Sequence, residues 1–287
     1  MARSSRGLGY LVLIQEITGS NPVRAAKQKS QPKEELDSYM FEFIVKNLPV
    51  LVLAFLSGLA TLLGVILGSH GKRSATHIAF GTAFAAGVMI LISFFELIPG
   101  AYSIIQFKSL IWVTIGACVV WGINRILPHI HSVKAIEDCD GKCMVRMSYL
   151  LAIGLILHDF PEGFAIPSSF ESSTDLGFLL VAATFIHNIP EGYVLTVASA
   201  KYNCNKFFYK SALFSGISTL SGAILGVILI HYFSFLNPIF LSIAAGAMLF
   251  ISFHELIPTS LRIGRKRVLV AGGFVSFILY FLLEIAF

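Results

Sequence analysis

The sequence predicts an all-α integral membrane protein: eight transmembrane helices in a 3+2+3 arrangement whose outer triplets form an inverted repeat. Three observations predict it. Of the 287 residues, 56% are hydrophobic and 13% charged, with mean hydropathy +0.79, far more apolar than a soluble domain. Eight apolar runs, near residues 47–69, 78–103, 109–127, 147–169, 176–199, 209–232, 236–261 and 268–286, each come close to the roughly 20 residues that cross ~30 Å of hydrocarbon. Finally, Ala83–Gly100 and Ser242–Thr259 align without a gap at an offset of 159, with 11 of 18 positions identical.

Residues 1–39 mix Arg, Lys, Ser, Gln and Glu around one apolar patch, Leu8–Ile14, which is too short to span and has no small-residue cleavage site at a proper distance. They are expected to be a disordered tail, and residues 40–287 a single membrane domain. Met40 directly precedes the first apolar run, so a start there would keep that domain whole.

The loops after helices 1, 3, 5 and 7 carry thirteen Lys and Arg, among them Lys72, Lys142, Lys206 and Arg265, whereas those after helices 2, 4 and 6 carry Lys108 alone. Lys and Arg concentrate on the cytosolic side of membranes, so both termini are expected on the non-cytosolic face. This distribution also accounts for the net charge of +5: the basic residues sit in short loops, which argues against a nucleic-acid partner. Cys118, Cys139, Cys143 and Cys204 fall in helix 3 or on the reducing side, so free thiols are expected.

Helix 2 runs outward and helix 7 inward, which makes their repeat an inverted one, an arrangement that places sites near the midplane. The runs Ala85-Ala86-Gly87 and Ala244-Ala245-Gly246-Ala247 supply small side chains where helices approach closely. The loop from Pro128 to Met147 contains His129, His131, Asp138, Cys139, Asp140 and Cys143; these are metal-competent residues, but C-x3-C is not a zinc-ribbon spacing and the composition equally suits a solvated loop.

Helices 4 and 5 carry one motif twice: His158-Asp-Phe-Pro-Glu162-Gly163 and His187-Asn-Ile-Pro-Glu191-Gly192. His and Glu at i and i+4 share a helix face, so each segment offers an imidazole and a carboxylate to one region. The Pro at i+3 lacks an N–H, which frees a carbonyl one turn earlier, Leu157 or Ile186. Ionisable groups in hydrocarbon are costly, by ~2.5–3.5 kcal/mol each on insertion scales, and a polyvalent cation would offset that for His158, Asp159, Glu162, His187 and Glu191. Glu96 and the pair His254-Glu255 are weaker candidates, with hydrogen-bonded struts as the alternative reading. Glu284 is expected to snorkel to the interface.

Enzymatic readings fail. His254-Glu-Leu-Ile-Pro258 begins like the zincin H-E-x-x-H motif, but Pro258 stands where the second His belongs. No G-x-S-x-G element is present.

The doubled His-x-x-Pro-Glu-Gly motif, together with Phe94-Phe-Glu-Leu-Ile-Pro99, resembles the ZIP (Zrt/Irt-like) metal transporters of the ZupT/GufA-type branch, over residues 40–287. The resemblance implies an eight-helix protein, often a homodimer, that moves Zn²⁺ and sometimes Fe²⁺, Mn²⁺, Co²⁺ or Cd²⁺ into the cytosol, with the ion as cargo and no cofactor. It further implies that His158, Glu162, His187 and Glu191 bind the transported ion between helices 4 and 5, that Asp159 and Asn188 serve a neighbouring second metal, and that His254 and Glu255 lie on the cytosolic exit route. Two departures stand out: Asp159, where Asn is commoner, and Gly222, which the alignment of Gly216–Gly222 sets opposite a Glu ligand. A metal exporter or exchanger and a membrane-embedded metal sensor are the competing readings; vesicle uptake of known orientation separates them.

Overall fold

The computed structural model describes residues 22–70, 74–126, 141–196, 205–264 and 266–287. His129, His131, Asp138, Cys139, Asp140 and Cys204 lie outside the described residues, as does the Cys143 side chain. Eight helical runs and no strand are found among the described residues: α1 (Pro22–His70), α2 (Ala75–Ile105), α3 (Lys108–Ile126), α4 (Gly141–Ser172), α5 (Thr174–Leu195), α6 (Asn205–Phe233), α7 (Asn237–Ile251 continued by Ser252–Leu256 and Ile257–Ile263) and α8 (Lys266–Ala286). Five stretches are long and apolar enough to cross a bilayer: Phe41–His70, Ala75–Ile105, Thr174–Leu195, Phe207–Arg262 and Lys266–Ala286. Phe207–Arg262 holds both α6 and α7, which part at a 3₁₀ turn, Ser234–Leu236. The two helices outside these stretches are α3, bounded by Lys108 and Arg125, and α4, which carries His158, Asp159 and Glu162.

The chain divides into two compact units, Met1–Leu48 and Pro49–Phe287. In the first, the backbone is helical from Pro22, within the stretch expected to be a tail; Pro suits a first helical turn, and the Ala, Lys, Gln and Glu that follow are strong helix formers. The site and every helix contact below belong to the second unit.

Inside that unit the internal repeat is written in packing. The α2 helix pairs with α8, and α7 with α3, so each member of the repeated pair embraces a helix of the other triplet. Gly87 and Gly246, 159 residues apart, take equivalent places: a Cβ on Gly87 would lie 2.0 Å from Ser276 Oγ of α8, and one on Gly246 would lie 1.9 Å from Val113 O of α3. Where α2 meets α7, two related pairs cross, Ser93 Oγ donating to Met248 Sδ (3.9 Å) and Ser252 Oγ to Met89 Sδ (3.5 Å).

Both repeated helices widen into a π-helical turn, at Ser93–Leu97 and Ser252–Leu256, where the N–H groups of Ile98 and Ile257 reach back five residues to Ser93 and Ser252. The cause is local. Pro99 and Pro258 follow immediately; a helix-interior Pro removes one N–H and crowds the carbonyl four residues before it, and inserting a residue into the preceding turn relieves both.

A second repeat emerges from the structure. Ser57-Gly58-x-x-Thr61-Leu-x-Gly64-x-Ile-Leu-Gly68 in α1 recurs as Ser215-Gly216-x-x-Thr219-Leu-x-Gly222-x-Ile-Leu-Gly226 in α6. The two runs seat their helices identically on the central pair: Gly64 abuts the Ile189 carbonyl of α5 (a Cβ would lie at 1.9 Å) and Gly222 the Phe160 carbonyl of α4 (2.1 Å). The reading of Gly222 as a lost ligand position is therefore corrected. No side chain of any kind fits there, because α6 and α4 touch backbone to backbone; α6 also contains no Asp or Glu.

Candidate metal centre

The four motif side chains meet. In α4 the i, i+4 spacing puts His158 Nε2 3.0 Å from Glu162 Oε1, and α5 brings His187 Nε2 to 3.2 Å from that same oxygen. Glu191 Oε1 of α5 lies 3.3 Å from His158 Nε2. All four residues are buried. Both helices continue through their prolines, Pro161 and Pro190, so each motif remains on one helix face.

What brings the faces together is the glycine that ends each motif. A Cβ on Gly163 would lie 1.9 Å from Thr219 O of α6, and one on Gly192 would lie 2.0 Å from Thr61 O of α1. Each motif helix is thus clamped, at the residue next to its Glu, to one member of the α1/α6 pair. At the other end, α5 starts on a sound cap: Ser173 Oγ accepts from Leu176 N at 3.1 Å, with Asp175 in the first turn, complementing the helix dipole.

The His187 ring is oriented by its own helix. Nδ1 donates to Ala183 O at 2.8 Å, which turns Nε2 toward Glu162 Oε1 at 3.2 Å and makes it the nitrogen that a cation would take on displacing that contact. Around this contact lie polar atoms with no hydrogen-bond partner: Glu162 Oε2, both Glu191 oxygens, both Asp159 oxygens, Asn188 Oδ1 and Thr184 Oγ1. Unsatisfied buried acceptors are rare and costly, and a set made of carboxylate and amide oxygens beside two imidazoles fits a borderline divalent cation. Among the described residues no three His, Cys, Asp or Glu side chains stand around a common metal-sized point. The motif side chains contact each other instead, and a cation entering here would replace the His–Glu contacts with its own.

The remaining candidates separate. Asp159 and Asn188 adjoin the centre and are fully buried; Asn188 Nδ2 donates to Ser57 O at 3.0 Å. Ser215 of α6 donates its hydroxyl to Thr61 Oγ1 at 3.0 Å. His254 and Glu255 stand apart from the motif side chains, in the π turn of α7: the exposed His254 ring stacks on Phe250 (4.8 Å between centroids), and Glu255 accepts a hydrogen bond from Asn124 Nδ2 of α3. Glu96, its repeat counterpart, accepts from Tyr280 OH of α8, which also reaches Glu284 at 3.3 Å. Sequence reading passed over Ser57, Thr61, Ser215 and Thr219. Their signal was available, as polar residues four apart inside apolar helices with glycines at their flanks.

Residues 128–282 match the family described as ZIP Zinc transporter. Over 224 residues the chain is 35% identical to the zinc transporter ZupT of Escherichia coli O7:K1, covering 72% of this chain and 85% of that protein, and its similarity to ZupT of Escherichia coli O127:H6 has the same extent. A transporter family in place of an enzyme family agrees with the lack of any catalytic motif in the sequence. With a family match over more than half its length and 35% identity to relatives covered over 85% of theirs, this chain belongs to the ZIP zinc transporter family, ZupT type.

Proposed function

We propose that this protein carries divalent metal cations, Zn²⁺ foremost, across the bilayer into the cytosol, binding each ion between α4 and α5 through His158, Glu162, His187 and Glu191. One observation carries the reading: two copies of a His/Glu motif, 29 residues apart in sequence, converge on shared contacts of 3.0–3.3 Å inside a bundle whose surroundings leave carboxylate oxygens unpaired. The carboxylates supply the charge that compensates a dehydrated dication in a low dielectric. Zn²⁺, Fe²⁺, Mn²⁺, Co²⁺ and Cd²⁺ all accept this imidazole and carboxylate set, and the zinc named for the ZupT relatives favours the first. In this reading all eight helices span, both termini lie outside the cytosol, residues 1–39 take no part in transport, and His254 and Glu255 receive the ion on its way out.

One ion is bound at a time. Glu162, Glu191 and Asp159 bring three negative charges, already more than a single dication requires, and α6 adds none. Two dications about 3.5–4 Å apart need bridging and flanking carboxylates. Asp159 and Asn188 then serve as auxiliary donors to the same ion.

Uptake of ⁶⁵Zn²⁺ into vesicles of known orientation tests the proposal. Glu191→Ala abolishes uptake while expression and insertion stay normal; wild-type flux in that variant would remove the assignment. Outward flux alone would reverse the direction, and binding without flux would make the protein a sensor.

A further inference from the structure

One buried hydroxyl beside the metal centre has no partner. Thr184 of α5 is fully buried, yet its Oγ1 bonds to nothing. A threonine inside a helix ordinarily closes its hydroxyl on a carbonyl three or four residues back. Among the described residues the other buried threonines are all satisfied: Thr82, Thr196 and Thr219 donate to Ile78 O, Tyr193 O and Ser215 O at 2.7–3.1 Å, and Thr61 Oγ1 accepts from Ser215 at 3.0 Å. An orphaned hydroxyl in an apolar interior costs stability, and Thr184 follows Leu179, Leu180 and Ala183, all members of the buried apolar core. Its place on the helix gives the hydroxyl a use. Thr184, His187, Asn188 and Glu191 stand at i, i+3, i+4 and i+7, one stripe of α5. Helical side chains lean toward the helix N-terminus, and the His187 ring does so: its Nδ1 reaches Ala183 O at 2.8 Å, which lays the imidazole over the turn that holds Thr184. The same stripe carries three further unpaired oxygens, Asn188 Oδ1 and both of Glu191.

We propose that Thr184 is a further ligand position of the centre, one that selects among ions: its Oγ1 enters the shell of a cation that takes more than four donors, Mn²⁺ above all, and stands idle for four-coordinate Zn²⁺. The inference rests on the reading of His158, Glu162, His187 and Glu191 as the ion's site. Two imidazoles and two carboxylates complete a tetrahedral Zn²⁺. Mn²⁺ prefers an octahedron made mostly of oxygens, so those four leave its shell open. Thr184 adds an oxygen without adding charge, at a centre where Glu162, Glu191 and Asp159 already exceed what one dication requires. A resident water is the competing partner for the hydroxyl; it would satisfy Thr184 equally for every ion and would give no selection.

The test is equilibrium binding of Mn²⁺ alone and of Zn²⁺ alone to the purified full-length protein, with thermal melting of the metal-free protein beside it. Thr184→Val keeps the shape of the side chain and removes the hydroxyl. It is expected to raise the ratio of the Mn²⁺ to the Zn²⁺ dissociation constant about tenfold. Because an unpaired buried hydroxyl goes with it, the metal-free variant is expected to melt at or above the wild-type temperature. Thr184→Ser, which keeps the hydroxyl, is expected to hold the ratio within about twofold of wild type. An unchanged ratio in Thr184→Val would overturn the proposal, and so would an equal rise in Thr184→Ser, which would trace the effect to packing. A lowered melting temperature in Thr184→Val would give the hydroxyl a structural partner and overturn it as well. Glu162→Ala separates this inference from the reading beneath it: loss of both ions there, with an unchanged ratio in Thr184→Val, removes the ligand role of Thr184 alone, whereas full retention of both ions in Glu162→Ala removes the centre and Thr184 with it.

Discussion

The two copies of the His-x-x-Pro-Glu-Gly motif are nearly the same in sequence and unlike in their surroundings. His187 is enclosed, its Nδ1 bonded to Ala183 O and its Nε2 to Glu162. His158 lines a groove of about 420 Å³ between α3, α4, α6 and α7 and contacts both glutamates. Glu162 Oε1 touches both imidazoles, whereas Glu191 touches one. Asn188 is anchored to Ser57, while both oxygens of Asp159 lack hydrogen bonds. Duplication therefore repeats the residue types, and packing against unlike neighbours separates the two copies: the α5 histidine is held by its own helix, and the α4 histidine lines a groove.

The largest expected effect is at the shared carboxylate. Replacing one partner of a buried charge pair typically costs ~3–5 kcal/mol, so Glu162→Ala is expected to weaken Zn²⁺ binding by ~100-fold or more, and by more than Glu191→Ala, when affinities are measured by titration of purified protein. Equal losses in the two variants would erase the distinction between the copies. The same titration counts ions, and two at the midplane, both lost in Glu162→Ala, would refute single-ion binding.

Next comes pH. Protons and metal compete for the same nitrogen lone pairs and carboxylate oxygens, and an imidazole of ordinary surroundings titrates near ~6.5, so initial uptake is expected to fall as both sides of the vesicle are acidified from about pH 7.5 to about pH 5.5. A rise on acidifying the outside alone would instead reveal proton-coupled symport.

A smaller effect belongs to the π turns, which extend the comparison to the outer triplets. Glu255 of α7 is held by an amide and Glu96 of α2 by a phenol. Glu255→Gln is expected to slow flux severalfold with little change in equilibrium affinity, because Glu255 lies outside the motif contacts; an affinity loss matching that of Glu162→Ala would bring it into the centre. The smallest effect is for deletion of residues 1–39: a protein beginning at Met40 is expected to insert and transport normally, and failure of insertion would show that the helix from Pro22 matters.

The Ala83–Gly100 repeat was legible because membrane helices are written in contiguous apolar runs, so a gapless 18-residue match with 11 identities survives as plain text. The α1/α6 repeat was not. Its signal is carried by Ser, Gly and Thr at intervals, residue types common in any membrane helix, and only the contacts of Gly64 and Gly222 with equivalent carbonyls reveal it. Reading Gly222 as a missing ligand mistook a packing position for a chemical one for the same reason. The π turns were implicit in Pro99 and Pro258, but a proline is compatible with a kink, a break or a widened turn, and the sequence does not choose among them.

By itself the sequence determined the chemistry: a membrane-embedded helical chain, two His/Glu pairs each on one helix face, and the class of ion they suit. These follow from composition and from spacing along a single helix, both of which are local. Tertiary structure alone decided that both imidazoles share one oxygen of Glu162, that Asp159 and Asn188 are unequal, and that Glu255 is taken up by Asn124. Each depends on which backbones approach to contact distance, a relation between residues as many as 131 positions apart in the sequence, and close packing of small residues settles it only once all the helices are in place.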